Sequence, residues 1–568
     1  MAKLFEKLFL DIETPLFNGS LPNKIFCLVT ICDKGNTVHY TEDDIHKFKD
    51  VASNYSEFIG HNIIGFDAPV IKNVLGVDLF KLGRVIDTLV LSRLFNPVRE
   101  GGHSLKAFGL KFGYKKFDFD DFTAFSQEML RYCIRDVKLL IQVYTLLKRQ
   151  SANFSKESID LEHEVAAIIE RQISYGFKID IEKAHLLLAR LQQKIDEVQA
   201  KVRETFKPLK IEETFIPKSN NKARGYVKGV PFIKVKYQEF NLGSRQQIGQ
   251  RLINLGWQPK KKTDKGHVIV DEKVLSEIKD IPEAELINEF LLLQKRVAMI
   301  ESWIEAVRED GRVHGKVITN GAITSRMSHQ SPNMAQIPAV YSPYGKECRE
   351  LWVVPSGYKL VGIDASGLEL RILSHYMNDK EYINEVINGD IHTTNQTLAG
   401  LESRDIAKTF IYAFIYGAGN KKLGTICGRS ESYGRQIKER FLKRLPSLAR
   451  LRERVDIATR KGFLKGLDQR KLIIRQRHSA LNTLVQGGGA IAMKKALVLL
   501  EEYIQQHSLT AIPVANVHDE FQYQVKENQA DSFGKLAVQS IVNAGDQLGL
   551  RCSLTGEYKI GNNWKETH

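Results

Sequence analysis

The stretch Ile512–Val525, IPVANVHDEFQYQV, sets His518, Asp519 and Glu520 between two apolar, β-prone runs. Neither run is long enough for a helix, and both are rich in residues that strands favour. The triplet therefore reads as the junction of two strands. A solvated surface turn carries such charges freely. At the end of buried strands, two adjacent carboxylates are costly to desolvate unless a cation or a donor meets them. The rest of the chain decides between these readings.

A chain of 568 residues exceeds what one hydrophobic core supports, so about three or four packed units are expected. Hydrophobic residues make up 43% and charged ones 26%, the balance of a soluble globular protein, and no run reads as a transmembrane span. The opening MAKLFEKLFLDIET meets an acid at Asp11 before a signal-peptide core forms. The six cysteines, Cys27, Cys32, Cys133, Cys348, Cys427 and Cys552, show neither CxxC nor zinc spacing, which fits a reducing, intracellular compartment. Lys and Arg number 82 against 67 Asp and Glu, a net charge of +15. That excess points to a polyanionic partner, nucleic acid ahead of an acidic membrane surface, since no amphipathic basic helix of the membrane type is present.

Residues 1–150 alternate strand and helix patterns. Residues 157–206 carry a 3.6-residue apolar rhythm broken at Gly176, which predicts a helical pair. Residues 207–240 lose that rhythm and hold eight Lys or Arg against three Glu. Their aromatic and β-branched content favours a small folded hairpin over a floppy loop. Helical spacing resumes over 244–307, and from Gly311 glycines, turns and strands return.

In KLFLDIET, Asp11 and Glu13 stand two apart in a strand and share a face, with Leu8, Leu10 and Ile12 on the other. Two carboxylates on one face repel unless a cation lies between them. GHNIIGFDAPV adds Asn62 and Asp67; LRYCIRDVKLL places Tyr132 and Asp136 one helical turn apart. Acids from separate elements suit a two-metal site for phosphodiester hydrolysis, with Mg2+ the fitting ion and Tyr132 placed to orient the attacking water. The ordered set DIE, HNIIGFD and YCIRD resembles the motifs of DEDD-type 3′–5′ proofreading exonucleases, Tyr-containing branch. The resemblance implies an RNase-H-like sheet, with Asp11, Glu13, Asp67 and Asp136 holding two Mg2+ ions.

GYKLVGIDASGLELRIL runs an apolar strand into Asp364 and then changes to helical spacing. An acid closing a buried strand is held rigidly with its head toward a cleft. Asp364 and Asp519 would form a second two-metal site, which answers the opening question. Between them, Ser403 is placed to cap a helix on which Arg404, Lys408, Tyr412 and Tyr416 recur every fourth residue, and Gly417 and Gly419 close it. Arg404 and Lys408, one turn apart, suit the phosphates of a triphosphate.

DASGLELR, RDIAKTFIYAFIYG and VHDE resemble motifs A, B and C of family A DNA polymerases, and SRMSHQSPNMAQIP, NGDIHT, GLDQRK and HSALNTLVQ resemble the replicative enzymes of short-tailed, T-odd-like phages. The resemblance implies an α/β (α+β) multidomain chain: an exonuclease domain over 1–150, a thumb over 151–312 with the basic insertion at about 207–240, a palm over 313–385 and 482–568, and fingers over 386–481. It implies a template-directed DNA polymerase with two Mg2+ ions at Asp364, Asp519 and the Ala365 carbonyl. His392, Arg404, Lys408 and Tyr412 would hold the dNTP. Glu369 would sit at the steric gate and, with Tyr412, close the pocket against a ribose 2′-hydroxyl. Arg326, Gln486 and His518 would read the minor groove of primer-template DNA, with Tyr416 also facing DNA, and Glu520 would be secondary.

The chain starts almost at the first exonuclease motif, so a 5′-nuclease domain is not expected. The basic insertion is shorter than the thioredoxin-binding insert of the best-known phage relatives, which leaves a processivity factor such as host thioredoxin open. A phage helicase-primase and single-strand-binding protein, no membrane, and the cytoplasm of an infected bacterial host complete the expectation. Two alternatives stand beside it. A single-subunit RNA polymerase is opposed by Glu369 and the proofreading motifs. An exonuclease carrying an inactive polymerase module is opposed by the presence of both Asp364 and Asp519.

Overall fold

The structure, a computed structural model, describes residues 5–16, 21–114, 119–259, 262–263 and 266–568. One unit comprises Met1–Lys178, Arg308–Val340 and Trp352–His568; a second comprises Ile179–Val307 and Tyr341–Leu351.

Within the first unit, the strand Phe5–Glu13 lies at the centre of a five-stranded sheet. It runs antiparallel to Cys27–Cys32 and parallel to Tyr55–Gly60, with Thr37–Thr41 and Arg84–Asp87 at the edges. The period-two pattern holds: Leu8, Leu10 and Ile12 enter one core, while Phe9 enters the opposite one with Val29, Ile31 and Val137. The helix Gln127–Ser151, capped by Ser126, covers that second face.

Four antiparallel strands form the other large sheet, in the order Ala511–Val517, Glu520–Lys526, Tyr358–Ala365 and Gly556–Gly561. Val361, Ile363, Phe521 and Tyr523 join one core with Leu497 of the helix Ala480–Gln506 and Phe533 of the helix Ala530–Gln547. The segment Arg477–Gln506 is long and apolar enough to cross a membrane, but 89% of its apolar window is buried inside this unit. Its glycines allow close packing: a Cβ on Gly488 would lie 2.6 Å from Ile372 Cγ2, on the helix Leu368–Met377.

The predicted helical pair forms as Lys156–Tyr175 and Ile181–Thr205, separated at Gly176, whose φ of 72° favours glycine. The two helices do not share a unit, whereas one segment over 151–312 was expected. Leu161, Val165 and Ile169 of the first helix bury themselves in the core under the four-stranded sheet, and that burial assigns it to the first unit.

The second unit contains the helices Ile181–Thr205, Arg245–Asn254 and Glu283–Glu305, and the basic segment folds as the expected hairpin. Its strands Leu209–Phe215 and Phe232–Gln238 pair in antiparallel register from Leu209 opposite Gln238 to Phe215 opposite Phe232. Phe215, Tyr226 and Phe232 cluster at its far end, with ring centroids 4.7 to 6.3 Å apart, and Lys234 lies over Phe215. Such aromatic packing stabilises a hairpin whose strands bury little else.

Gly488→Ala should lower the thermal midpoint. Overpacking against the β-branched Ile372 costs about 1–3 kcal/mol, and the gain in helix propensity returns only ~1 kcal/mol. A calorimetric midpoint at or above the parental one would show that the 368–377 helix gives way freely.

Candidate active sites

The first acid cluster gathers from three elements of the first unit. Asp11 and Glu13 project from the central strand, Asp67 opens the helix Asp67–Leu75, and Asp136 projects from the helix 127–151. Glu13 and Asp67 are buried. Burial pushes the carboxyl of Asp11 well above its ordinary range, and the neighbouring Asp67, Glu13 and Asp136 push it further. Burial likewise raises Glu13 to about 9, Asp67 to about 7 and Asp136 to about 6. Asp67 Oδ1 is buried without a hydrogen-bond partner. An orphaned carboxylate oxygen among mutually repelling acids fits a divalent cation held between them. Tyr132 shares a hydrogen bond with Asp136, and its ring packs against Phe119 and Phe122 at 5.7 and 6.5 Å. One neighbour was not foreseen: the Cys133 thiol lies 3.9 Å from Asp11 Oδ2, and Asp11, Glu13 and Cys133 offer ligand atoms all within 4.8 Å of one another.

The second cluster is set by strand register. Asp364 stands opposite Glu520, and the Ala365 N–H donates to the Asp519 carbonyl at 3.1 Å. His518 and Asp519 form the turn between the strands 511–517 and 520–526, with His518 exposed at a φ of 57°. The first two residues of the triplet are thus a turn, Glu520 opens the next strand, and the turn sits beside Asp364 at the end of the sheet. Burial raises the Asp364 carboxyl to about 7, and Asp519 and then Glu520 add to the rise. Glu520 has partners of its own: it accepts from Trp564 Nε1 at 2.5 Å and Gln522 Nε2 at 2.6 Å, and pairs with His568 at 3.1 Å.

The Ser403 hydroxyl caps the helix Arg404–Ile415, as predicted, accepting from the Ile406 N–H at 3.2 Å. Lys408 is exposed. Arg404 Nε lies 2.6 Å from Asp390 Oδ2, and Asp390 caps the helix Ile391–Ala399. His392, at the start of that helix, lies with its ring centroid 6.3 Å from Tyr412. Burial, then Arg404 and Lys408, hold its imidazole below the usual range, and its Nδ1 is buried without a partner. Glu369 accepts from Arg326 Nη2 at 2.9 Å and from the Tyr416 hydroxyl at 2.9 and 3.1 Å.

A model of the family described as DNA polymerase family A matches residues 228–566. The chain is 33% identical to the DNA-directed DNA polymerase of Enterobacteria phage T3 and 33% identical to that of Escherichia phage T7, over 89% of this chain and 92% of each relative. The chain belongs to DNA polymerase family A. A solved structure of the POL domain of Pol1 from M. smegmatis, in complex with DNA primer-template and dNTP, matches the fold with a TM-score of 0.80. It is 18% identical, and the match covers 100% of this chain and 97% of that one.

In this family A polymerase, Glu369, expected to close the pocket with Tyr412, is held by Tyr416 and Arg326, two partners that spacing did not announce. Tyr412 remains near enough for Glu369 to raise its phenol, after burial. Arg326 and His518 line one small cavity; Gln486 lies one turn before Ala490, which lines it too.

The first cluster makes the metal-free polymerase pH-sensitive. Acids whose folded pKa is raised stabilise the fold below about pH 4, and that stability is lost as pH rises through the folded values, here across about 6 to 9. In chelator at pH 8, Asp11→Asn should raise the thermal midpoint by a few degrees, at roughly 2–4 °C per kcal/mol, with no gain near pH 4. Excess Mg2+ should reverse the order. A variant that melts below the parent in chelator at pH 8 would contradict the repulsion.

Proposed function

We propose that the chain is a template-directed DNA polymerase of phage replicative type with a 3′–5′ proofreading exonuclease in residues 1–150, both working by two-metal phosphoryl transfer. The observation that supports it is the pair of separate acid clusters, each holding carboxyls raised by burial and by one another. Polymerases of this family generally use Mg2+. When bound, Mg2+ activates the attacking oxygen and neutralises the phosphate. Asp364, Asp519 and the Ala365 carbonyl would hold it in the polymerase site; Asp11, Glu13, Asp67 and Asp136 would hold it in the nuclease site.

The remaining roles follow from the residues' own chemistry. Arg404 trades its exposed, solvent-screened pairing with Asp390 for a triphosphate oxygen. Lys408 and His392 complete the cradle, with His392 neutral until an anion arrives. Glu369, braced by Tyr416 and Arg326, narrows the sugar pocket beside Tyr412, since an apolar pocket alone rejects an added hydroxyl weakly. Arg326, His518 and Gln486 test base-pair geometry through minor-groove acceptors. Tyr132 holds the attacking water near Asp136. A phage replicative role implies work in the cytoplasm of an infected bacterial host, beside a phage helicase-primase and single-strand-binding protein.

Asp519→Asn or Asp364→Asn should lower primer extension by ~10²-fold or more and leave 3′ degradation intact. Asp11→Asn with Glu13→Gln should do the reverse. Single-turnover extension and degradation of labelled primers read both, and an Asp519→Asn enzyme extending at the parental rate would sink the polymerase assignment.

The hairpin 209–238, rich in exposed lysines, holds duplex DNA through its phosphates. Its removal should shorten products made under a DNA trap and reduce the salt slope of binding by about 1 for each phosphate no longer neutralised. Insertion of one nucleotide at saturating primer should stay unchanged. An unchanged slope would leave the hairpin without a role in DNA binding.

A further inference from the structure

Adjacent residues on the helix 156–175 reach toward the two acid clusters by different routes. His163 Nδ1 donates to the Ile159 carbonyl at 2.8 Å, which leaves Nε2 to accept the Asp87 N–H at 3.0 Å. Both partners are satisfied only by the neutral ring, and burial favours that form. Asp87, itself buried, ends the strand 84–87. Its carboxylate accepts from the N–H groups of Asn62, Ile64 and Leu89 at 2.9, 3.2 and 2.8 Å. Residues 61–66 are the connection that delivers Asp67, and Asn62 adopts a left-handed φ of 66° there. Arg84 and Asp160 pair on the same side, one turn earlier.

Glu162 is fully buried. Lys494 Nζ reaches its two oxygens at 2.7 and 2.9 Å, and Arg470 donates to it as well. Arg470 is also clasped by Asp468, whose carbonyl accepts from the helix-capping Ser155 hydroxyl at 2.6 Å. Lys494 then donates to Asn320 Oδ1 at 3.1 Å. Asn320 stands near one base of the loop joining the strands Lys316–Ile318 and Ser328–Gln330; Arg326, which reaches Glu369, stands near the other.

We propose that the helix 156–175 is a bracket shared by both sites: Glu162 positions Arg326 through Lys494 and Asn320, and His163 positions Asp67 through Asp87. The His163 arm rests on the nuclease reading above. The plainer account makes the buried charges mere adhesive between packed elements. Adhesive of that kind is replaceable, because apolar side chains of similar volume restore what a broken buried pair loses. A positioning role is not replaceable in this way, because methionine at 494 has no donor for Asn320.

The full-length enzyme decides between them. Glu162→Gln strands Lys494 and should lower both the thermal midpoint and the preference for matched over mismatched primer ends. The double variant Glu162→Met with Lys494→Met leaves Arg470 paired with Asp468. It should recover the midpoint yet keep a loss of matched-end preference of about tenfold. Recovery of both would overturn the Glu162 arm. His163→Phe should slow 3′ degradation about tenfold and raise the Mg2+ concentration at half-maximal degradation, with matched-primer extension unchanged. His163→Gln, whose amide oxygen can accept the Asp87 N–H, should restore both. A His163→Phe enzyme with parental degradation and Mg2+ dependence would overturn the second arm. A parent enzyme that does not degrade primers would overturn the nuclease reading and this arm with it, and that failure is visible before any variant is made.

Discussion

The strands 358–365 and 520–526 meet in antiparallel register across a gap of more than 150 residues, and the second acid cluster depends on that register. It puts Asp364 opposite Glu520 and ties the Ala365 N–H to the Asp519 carbonyl. A slip of one residue would turn Val361, Ile363, Phe521 and Tyr523 out of their core and aim both acids elsewhere. Core burial therefore fixes the position of the carboxylates, although those carboxylates repel one another. The helix 480–506 locks the arrangement from behind, with glycines where the helix 368–377 comes closest.

Much of this was legible because it rests on local pattern. A strand ending in an acid, a serine before a helix, and acids two apart in a strand each have a short-range signature, and Asp364, Ser403, Asp11 and Glu13 fell where expected. The hairpin at 209–238 was legible from residue types unsuited to disorder. What spacing could not supply was partnership across the fold. Residues four apart on a helix rotate by roughly 40° per step, so Tyr416, three steps from Arg404, ends past the last turn and meets Glu369. Nothing near Arg404 in sequence announces Asp390, and nothing in Glu520 announces Trp564 or His568. Asp87 and His163 are ordinary in type and 76 residues apart; only the fold makes them partners. The placement of the 156–175 helix was missed for the same reason: its rhythm shows a buried face, not which core receives it.

Both acid clusters bury like charges, which is unfavourable without a cation, and each is surrounded by contacts that hold it regardless. Around the first, backbone N–H groups fold onto Asp87. Around the second, an indole, an amide and an imidazole meet Glu520, which gives one of three neighbouring carboxylates partners of its own. Local repulsion at a working site is thus tolerated because neighbouring, fully satisfied polar groups over-determine the geometry.

The bracket helix also imposes an order in time. Ribosomes add about 5–20 residues per second, and domains fold as they emerge. His163 can meet Asp87 once both are made, but the partners of Glu162, Arg470 and Lys494, and with them Lys494's own partner Asn320, are still unmade. For tens of seconds, a side chain that ends fully buried has none of the basic partners that cover it. A chain cut short in that interval would hold all four acids of the first cluster, and a Glu162 still without Arg470 and Lys494.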